Sequence, residues 1–264
     1  MQLQQSVEEL KARGLGLAAI SYDAPTTLKA FADQRGITFP LLSDAGSATI
    51  KRYGLLNAAA TGRTAGIPHP GTFVLDARGV VVSRSFEEKY QERASAGSIL
   101  ARTDRVPAGT SSSGTSVVDT PQLTATMSAS DATVAPGTRF SLLIDIAPKP
   151  KMHVYAPGQK DYIPVSITLR DDAAVRAHSP VFPRAEKYFF APLEETQLVF
   201  SKPFRIVQDV TVGLTPALRE QARAPGATLT IGGTLRYQAC DDAICYLPKA
   251  LPVSWTVALR SLER

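Results

Sequence analysis

Cysteine and histidine are scarce in this chain. Only two cysteines occur in 264 residues, Cys240 and Cys245, and residues 1–239 contain none. The three histidines are His69, His153 and His178, and their positions follow no metal-ligand spacing. A structural zinc site takes four ligands, so this supply argues against one, and we expect no metal. Nothing in the sequence implies a nucleotide, a haem or another cofactor.

Long apolar runs and strongly charged runs are also missing. No apolar stretch approaches the roughly 20 residues that a membrane-spanning helix needs. The net charge is a mild +5, and no run of Lys and Arg with interleaved aromatics is present, so nucleic acid is not an expected partner. The segment Met1–Leu10 is polar and lacks the basic start and apolar middle of a signal peptide, so none is predicted in this segment.

The remaining composition is that of a globular protein with a break near its middle. Apolar residues make up 44% and charged residues 20%, which allows one or two domains with ample cores. Residues 103–121 consist mainly of Ser, Thr, Gly and Pro and bury little apolar surface, so they are predicted to form a flexible linker. We therefore expect one domain over residues 1–102 and a second over residues 122–264.

The two halves have different hydrophobic patterns. The first alternates helical and strand patterns, which is typical of an α/β sheet. Its helices are predicted over Gln2–Arg13, Pro25–Arg35, Ser47–Tyr53 and Tyr90–Arg102, and its strands over Gly16–Tyr22, Phe39–Leu42, Thr72–Asp76 and Val80–Arg84. We expect Gly16–Tyr22 to be a buried parallel strand and Leu28 and Phe31 to point inward.

The second half contains strand patterns almost throughout. The predicted strands are Leu123–Ala129, Arg139–Ile146, Val165–Leu169, Gln197–Phe200, Phe204–Val212, Thr228–Gln238 and Leu251–Leu259, with one short helix over Leu214–Arg223. Pro and Gly separate many of them, for example at Pro136-Gly137 and Pro225-Gly226. Short strands punctuated in this way are typical of an antiparallel β-sandwich.

The two cysteines lie between the last two predicted strands, so they can come within disulfide range across a turn. A disulfide there could be a structural clip, although closing so short a loop contributes only about 2 kcal/mol. It could equally be a redox-active pair, although Asp241 and Asp242 disfavour a thiolate beside them. Spacing and chemistry alone leave both alternatives open.

The first half resembles the redoxin family, the peroxiredoxins of the AhpC/TSA type with a thioredoxin fold. The resemblance rests on Leu17–Asp23, Phe39–Asp44 and Ile67–Asp76. It implies a cis proline at Pro70, before the strand that begins at Thr72. The family's reactive cysteine starts its first long helix, whereas this chain begins inside that helix and has no cysteine before Cys240. Because the thiolate is the nucleophile in that chemistry, we expect no peroxidase activity from these residues. We expect this half to be a truncated redoxin that serves as a scaffold. The alternative is a fragment whose reactive cysteine lies upstream of Met1.

The second half resembles the N-terminal periplasmic domain of the thiol:disulfide interchange protein DsbD. The resemblance rests on Tyr237–Cys240 and Cys245–Pro248, with support from Met152–Pro157 and the aromatic segment Glu186–Phe190. It implies an immunoglobulin-like sandwich with a redox-active cysteine pair under an aromatic cap loop. The cysteine spacing is one residue shorter here than in the best-known member.

The resemblance also assigns roles to individual residues. Tyr155 matches a tyrosine that flanks the cysteines, and His153 occupies a second position that is aromatic in the family and so departs from the family there. Glu186, Tyr188 and Phe189 fall where the acidic and aromatic cap residues lie. Tyr246, which directly follows Cys245, is a further flanking aromatic, with a half-buried structural role as its alternative.

These observations predict a truncated thioredoxin-like α/β domain followed by an immunoglobulin-like sandwich that exchanges disulfides through Cys240 and Cys245. Either cysteine could be the nucleophile, and the disulfide is expected to be reducible above about −300 mV. The expected partner is a redox protein with a thioredoxin-type dithiol. The resemblance implies a periplasmic or otherwise extracytoplasmic location. The competing hypothesis is a non-catalytic interaction module in which the disulfide is only a staple.

Overall fold

The computed structural model describes residues 2–87, 92–102, 115–190 and 194–261. The chain divides into two compact units, Met1–Arg105 and Val106–Arg264. This division falls inside the predicted linker, most of which, residues 103–114, lies outside the described residues. The linker prediction is wrong for its last part, because residues 116–119 form a strand of the second unit.

The first unit contains short helices and two small sheets. Its helices are α1 (Gln2–Gln5), α2 (Val7–Ala12), α3 (Pro25–Arg35), α4 (Ala48–Arg52) and α5 (Ala96–Ala101), with a 3₁₀ turn at Gly62–Thr64; its strands are β1 (Ala19–Ser21), β2 (Leu41–Ser43), β3 (Gly71–Leu75), β4 (Val81–Phe86) and β5 (Arg93–Ala94). Strands β1 and β2 pair in parallel, and β3 and β4 form an antiparallel hairpin. The predicted α/β alternation is present, but the first predicted helix is interrupted at Ser6.

Three predictions about this unit are wrong, concerning its last helix, the burial of β1 and the direction of Phe31. The last helix, predicted over Tyr90–Arg102, begins only at Ala96 because β5 precedes it; residues 90 and 91 of that prediction lie outside the described residues. Strand β1 is parallel as predicted but not buried, since a two-stranded sheet leaves Ile20 44% exposed. In α3, Leu28 is buried, whereas Phe31 is 39% exposed and does not point into a core.

The predicted cis bond before Pro70 is also wrong. The described residues contain no cis peptide bond. Backbone hydrogen bonds hold the segment on both sides, from the His69 N–H to the Leu55 carbonyl (2.7 Å) and from the Glu87 N–H to the Pro70 carbonyl (3.1 Å). The trans isomer is the intrinsic preference of an X–Pro bond, by about 0.5–1 kcal/mol.

The second unit is built almost entirely of strands. They are β6 (Ser116–Asp119), β7 (Leu123–Ala129), β8 (Thr133–Val134), β9 (Thr138–Pro148), β10 (His153–Tyr155), β11 (Ser166–Leu169), β12 (Val175–Ala177), β13 (Glu186–Phe190), β14 (Glu195–Phe200), β15 (Phe204–Val212), β16 (Thr228–Tyr237), β17 (Ala239–Cys240) and β18 (Lys249–Leu259), with one helix, α6 (Pro216–Gln221). Along the described parts of both units, no helix is both long and apolar enough to cross a membrane.

These strands form three sheets around one core. Strands β12-β15-β9-β7-β6 follow one another in the first sheet, β11-β16-β18-β8 in the second and β13-β14-β10-β17 in the third. Alternate side chains of β7, β9, β15, β16 and β18 fill the core, as expected from the period-two pattern. The predicted all-β sandwich is therefore confirmed, and the third sheet adds Val154 and Ala239 to the same core.

A buried ion pair joins β9 to β15. The Arg139 Nε donates to Asp209 Oδ2 (3.0 Å), and the Ser141 hydroxyl donates to Asp209 Oδ1 (2.7 Å). All three residues are buried. Removing the Asp209 carboxylate takes away the charge that the buried Arg139 Nε bonds and the acceptor of the Ser141 hydroxyl, which is strongly destabilising.

We therefore expect Asp209→Ala to lower the free energy of unfolding of the sandwich by about 3–5 kcal/mol. The measurement is urea unfolding followed by the fluorescence of Trp255, the single tryptophan of the chain, which lies in this core. The control is Asp119→Ala, which removes an exposed ion pair with Lys149 and should have a far smaller effect. Equal effects of the two substitutions would contradict the importance of the buried pair.

Candidate functional site

The two cysteines form a disulfide at one end of the third sheet. Cys240 ends β17, and Cys245 pairs with it through a single antiparallel bridge that brings their Cα atoms to 4.1 Å. The two sulfurs differ in access, since Cys240 is only 1% exposed and Cys245 lies at the surface. An incoming thiol can therefore approach Cys245 more easily than Cys240.

The turn between the cysteines is fixed by Asp241. Its carboxylate accepts hydrogen bonds from the N–H groups of Ala243 (2.8 Å) and Ile244 (2.7 Å) and from the Tyr246 hydroxyl (2.9 Å). These bonds lower the pKa of Asp241, the backbone N–H of Ala243 contributing most. The turn thus carries a stable negative charge close to the disulfide.

The sulfur of Cys240 faces away from the sandwich core. In β10 and β17, Val154 and Ala239 point into the core. Alternation then places His153, Tyr155 and Cys240 on the opposite side of the sheet, and pairing aligns His153 directly with Cys240. This second side, here called the site face, also carries Val199 from β14 and Tyr188 from β13.

Tyr155 places its hydroxyl against both sulfurs. Its oxygen lies 3.0 Å from Cys240 Sγ and 3.3 Å from Cys245 Sγ. Its ring is fully buried and stacks on Tyr162 with ring centroids 4.3 Å apart. Burial, together with Tyr162, raises the pKa of the Tyr155 hydroxyl, so the group stays protonated and donates to sulfur.

His153 is buried beside this pair. The residue is 3% exposed, and its ring lies 5.9 Å from that of Tyr155 and 4.8 Å from that of Tyr188. Its Nε2 atom is buried and has no hydrogen-bond partner among the residues that the structure describes. Burial lowers the pKa of His153, and the nearby carboxylates of Asp242 and Asp241 partly oppose this effect. The imidazole is therefore neutral around pH 7 while the disulfide is intact.

Tyr188 reaches over the site from the edge strand β13. Its hydroxyl donates to Asp242 Oδ1 at 3.0 Å, which connects this strand to the cysteine turn. The aromatic segment is thus part of a strand rather than the predicted loop. Phe189 is 60% exposed, and alternation places it on the side opposite Tyr188, so the prediction that it covers the disulfide is wrong.

Glu186 and Tyr246 lie near the site, but their hydrogen bonds go elsewhere. Glu186 accepts from the Ser201 hydroxyl at 2.8 Å, and the Tyr246 hydroxyl donates to Asp241. They support neighbouring strands and the turn rather than the sulfurs. Sequence reasoning missed Tyr162, which stacks on Tyr155 and donates to Glu195 (3.2 Å), because it lies in an irregular segment without periodicity.

Comparison with known proteins relates the first half to one family. The AhpC/TSA family model matches residues 1–84, which confirms the redoxin resemblance for that part of the chain. Alkyl hydroperoxide reductase E of Mycobacterium bovis and that of Mycobacterium tuberculosis are each 39% identical over 82 residues, 30% of this chain and 50% of the relative. The chain spans about half the length of these curated relatives.

Solved structures similar to the chain include two N-terminal domains. The N-terminal periplasmic domain of ScsB from Proteus mirabilis has 9% identity and a TM-score of 0.37, covering 54% of this chain and 50% of that one. The DsbD N-terminal domain of Neisseria meningitidis in the reduced form has 12% identity and a TM-score of 0.30, covering 46% of this chain and 82% of that one.

Proposed function

We propose that the second unit is a thiol–disulfide exchange domain in which Cys245 is the sulfur that partners attack and Cys240 is the sulfur that leaves. The observation that carries this proposal is the unequal access of the two sulfurs, with Cys245 at the surface and Cys240 buried under the Tyr155 hydroxyl. An attacked sulfur must be accessible, and a leaving thiolate needs hydrogen-bond donors.

The exchange begins when a partner thiolate attacks Cys245 Sγ. A mixed disulfide forms, the bond between Cys240 and Cys245 breaks, and its electron pair stays on Cys240 as a thiolate. The Tyr155 hydroxyl, already 3.0 Å from that sulfur, donates to it. The second thiol of the partner then loses its proton and attacks its own first sulfur, which releases Cys245. In sum, two electrons and two protons pass to the chain, and the reverse sequence returns them.

The proposed partner is a protein with a thioredoxin-type dithiol in an extracytoplasmic compartment. The chain's resemblance to the DsbD N-terminal domain supports this, as does the surface around Cys245, where Ile244 and Leu247 are exposed. Exposed apolar side chains next to a reactive group favour docking of another protein. A compartment outside the cytosol is where a disulfide of this kind persists.

Peroxide reduction by the first unit is not part of this proposal. The match to a peroxidase family concerns residues 1–84, and these residues contain no cysteine. Peroxidase chemistry in that family requires a thiolate nucleophile. Residues 1–84 therefore lack the group that this chemistry needs, and the proposal assigns the redox role to the dithiol of the second unit.

Equilibration of the folded chain with a glutathione redox series tests the function. We expect the disulfide to be reduced reversibly at a potential above about −300 mV, because structural disulfides usually lie below that value. Trp255 fluorescence reports whether the sandwich stays folded, and the Cys240→Ser/Cys245→Ser double variant gives the background. A bond that is reduced only when the sandwich unfolds would identify a structural staple and refute the proposal.

A further inference from the structure

His153 lies next to Cys240, yet the exchange proposed above does not use it. The two residues are paired directly across β10 and β17, so their side chains leave the same face as close neighbours. The imidazole is buried, and within the described part of the chain its Nε2 atom has no hydrogen-bond partner while the disulfide is intact. Buried polar atoms are normally paired, so an unpaired one beside a redox group needs an explanation.

The charges around this position create a second problem for the reduced protein. The titratable groups on the elements packed around His153 share its face of the third sheet or lie in the adjoining segments. They are Tyr155 of β10, Cys240 of β17, Glu186 and Tyr188 of β13, Glu195 of β14, Tyr162, and Asp241 and Asp242 of the turn. The carboxylates disfavour a thiolate at Cys240, and burial disfavours it further. None of these facing groups can become positively charged, whereas the His153 imidazole can.

We propose that His153 holds one of the two protons taken up on reduction, so that the reduced site contains an imidazolium beside a Cys240 thiolate. Proton and electron counts are those of ordinary disulfide reduction. One proton lies on Cys245, the other lies on the imidazole instead of on Cys240, and both come from the partner's dithiol. His153 is thus a positioning and charge-compensating residue, and this role rests on the exchange function proposed above.

The two redox states then give the imidazole two environments. In the disulfide state burial keeps it neutral, since the loss of hydration outweighs the attraction of the nearby carboxylates. After cleavage, the new negative charge on Cys240 is its immediate neighbour, and Asp241 and Asp242 add to the attraction. Coupling of this kind raises the proton affinity of the imidazole and lowers that of the thiol together. The unpaired Nε2 can then acquire the partner that it lacks in the disulfide state.

The first test titrates Cys240 alone in the Cys245→Ser background by following thiolate absorbance against pH. Adding His153→Phe, which keeps a buried ring, should make Cys240 titrate about 1–3 pH units higher, because an opposite charge is lost. His153→Gln, which keeps a polar group without charge, should do the same. The matched control is His178→Gln, since that histidine lies in the same sandwich and bonds Thr211 instead, and it should leave the titration unchanged.

The second test reads the protonation of the His153 ring by NMR in both redox states of the unaltered chain. We expect a neutral ring with the disulfide intact and a protonated ring after reduction at pH 7. A ring that stays neutral after reduction, or a Cys240 titration that does not respond to His153→Phe or His153→Gln, would overturn the inference. A disulfide that cannot be reduced in the folded chain would instead refute the exchange function, so the two failures are distinguishable.

Discussion

The Cys240→Ser variant is expected to exchange readily with a thioredoxin-type protein, whereas Cys245→Ser is expected to react about tenfold more slowly or not at all, because thiol reactivity follows access. Each variant retains one thiol, which is activated as a mixed disulfide with thionitrobenzoate. A thioredoxin lacking its second cysteine then attacks it, and released thionitrobenzoate gives the rate. Of the two sulfurs only that of Cys245 lies at the surface, so only its mixed disulfide should be attacked quickly.

Denatured samples supply the control for this comparison. In urea both sulfurs are equally accessible, so the two variants should react at similar rates. A faster reaction at Cys240 in the folded protein would reverse the assignment of attacked and leaving sulfur. Equal rates in the folded protein would mean that burial of Cys240 does not restrict access, and the proposed division of roles would be wrong.

The sequence predicts the long strands of the sandwich well because their alternation of apolar and polar residues continues over many positions. Strands β7 and β15 have the predicted bounds, and β9, β16 and β18 differ by one to two residues at their ends. Seven or more residues with one buried face give a period-two signal that few other structures produce. Strands of two or three residues, such as β10 and β17, carry no such signal, and these hold the site together.

Family resemblance rather than periodicity led to Tyr155. Its contact with Cys240 joins residues 85 positions apart, and no local pattern contains that information. The error about Phe189 has a physical origin, because a cap loop would allow Tyr188 and Phe189 to cover the disulfide together. In a strand, consecutive side chains point to opposite sides, so only Tyr188 can reach the site.

The remaining cis-proline and buried-strand errors concern the first unit. Both expectations assume a complete thioredoxin-type sheet, in which neighbouring strands cover β1 and constrain the segment at Pro70. The described part of this unit has two separate two-stranded sheets instead. Ile20 is therefore exposed, and Pro70 keeps its preferred trans bond.

Two substitutions at Tyr155 are expected to separate two effects of this residue: burial of the disulfide by its ring and stabilisation of the Cys240 thiolate by its hydroxyl. Tyr155→Phe removes only the hydroxyl that donates to Cys240, so the thiolate loses a charge-assisted hydrogen bond worth about 1.5–3 kcal/mol. The reduced form is destabilised, and the reduction potential should fall by about 30–60 mV. Tyr155→Ala also removes the buried ring, which should cost the sandwich about 3–5 kcal/mol of stability and let small thiols reach Cys240.

The two variants are therefore expected to agree in reduction potential and to differ in the rate of reduction by a small thiol. Glutathione equilibration should give a lowered potential for both variants, whereas the rate of reduction by dithiothreitol should rise only for Tyr155→Ala. Tyr237→Phe is the matched control, because it removes another buried tyrosine hydroxyl of the same unit, one that bonds Thr120 and not sulfur. If Tyr155→Phe left the potential where Tyr237→Phe leaves it, the hydroxyl would not stabilise the Cys240 thiolate, and Tyr155 would be only a packing residue beneath the disulfide.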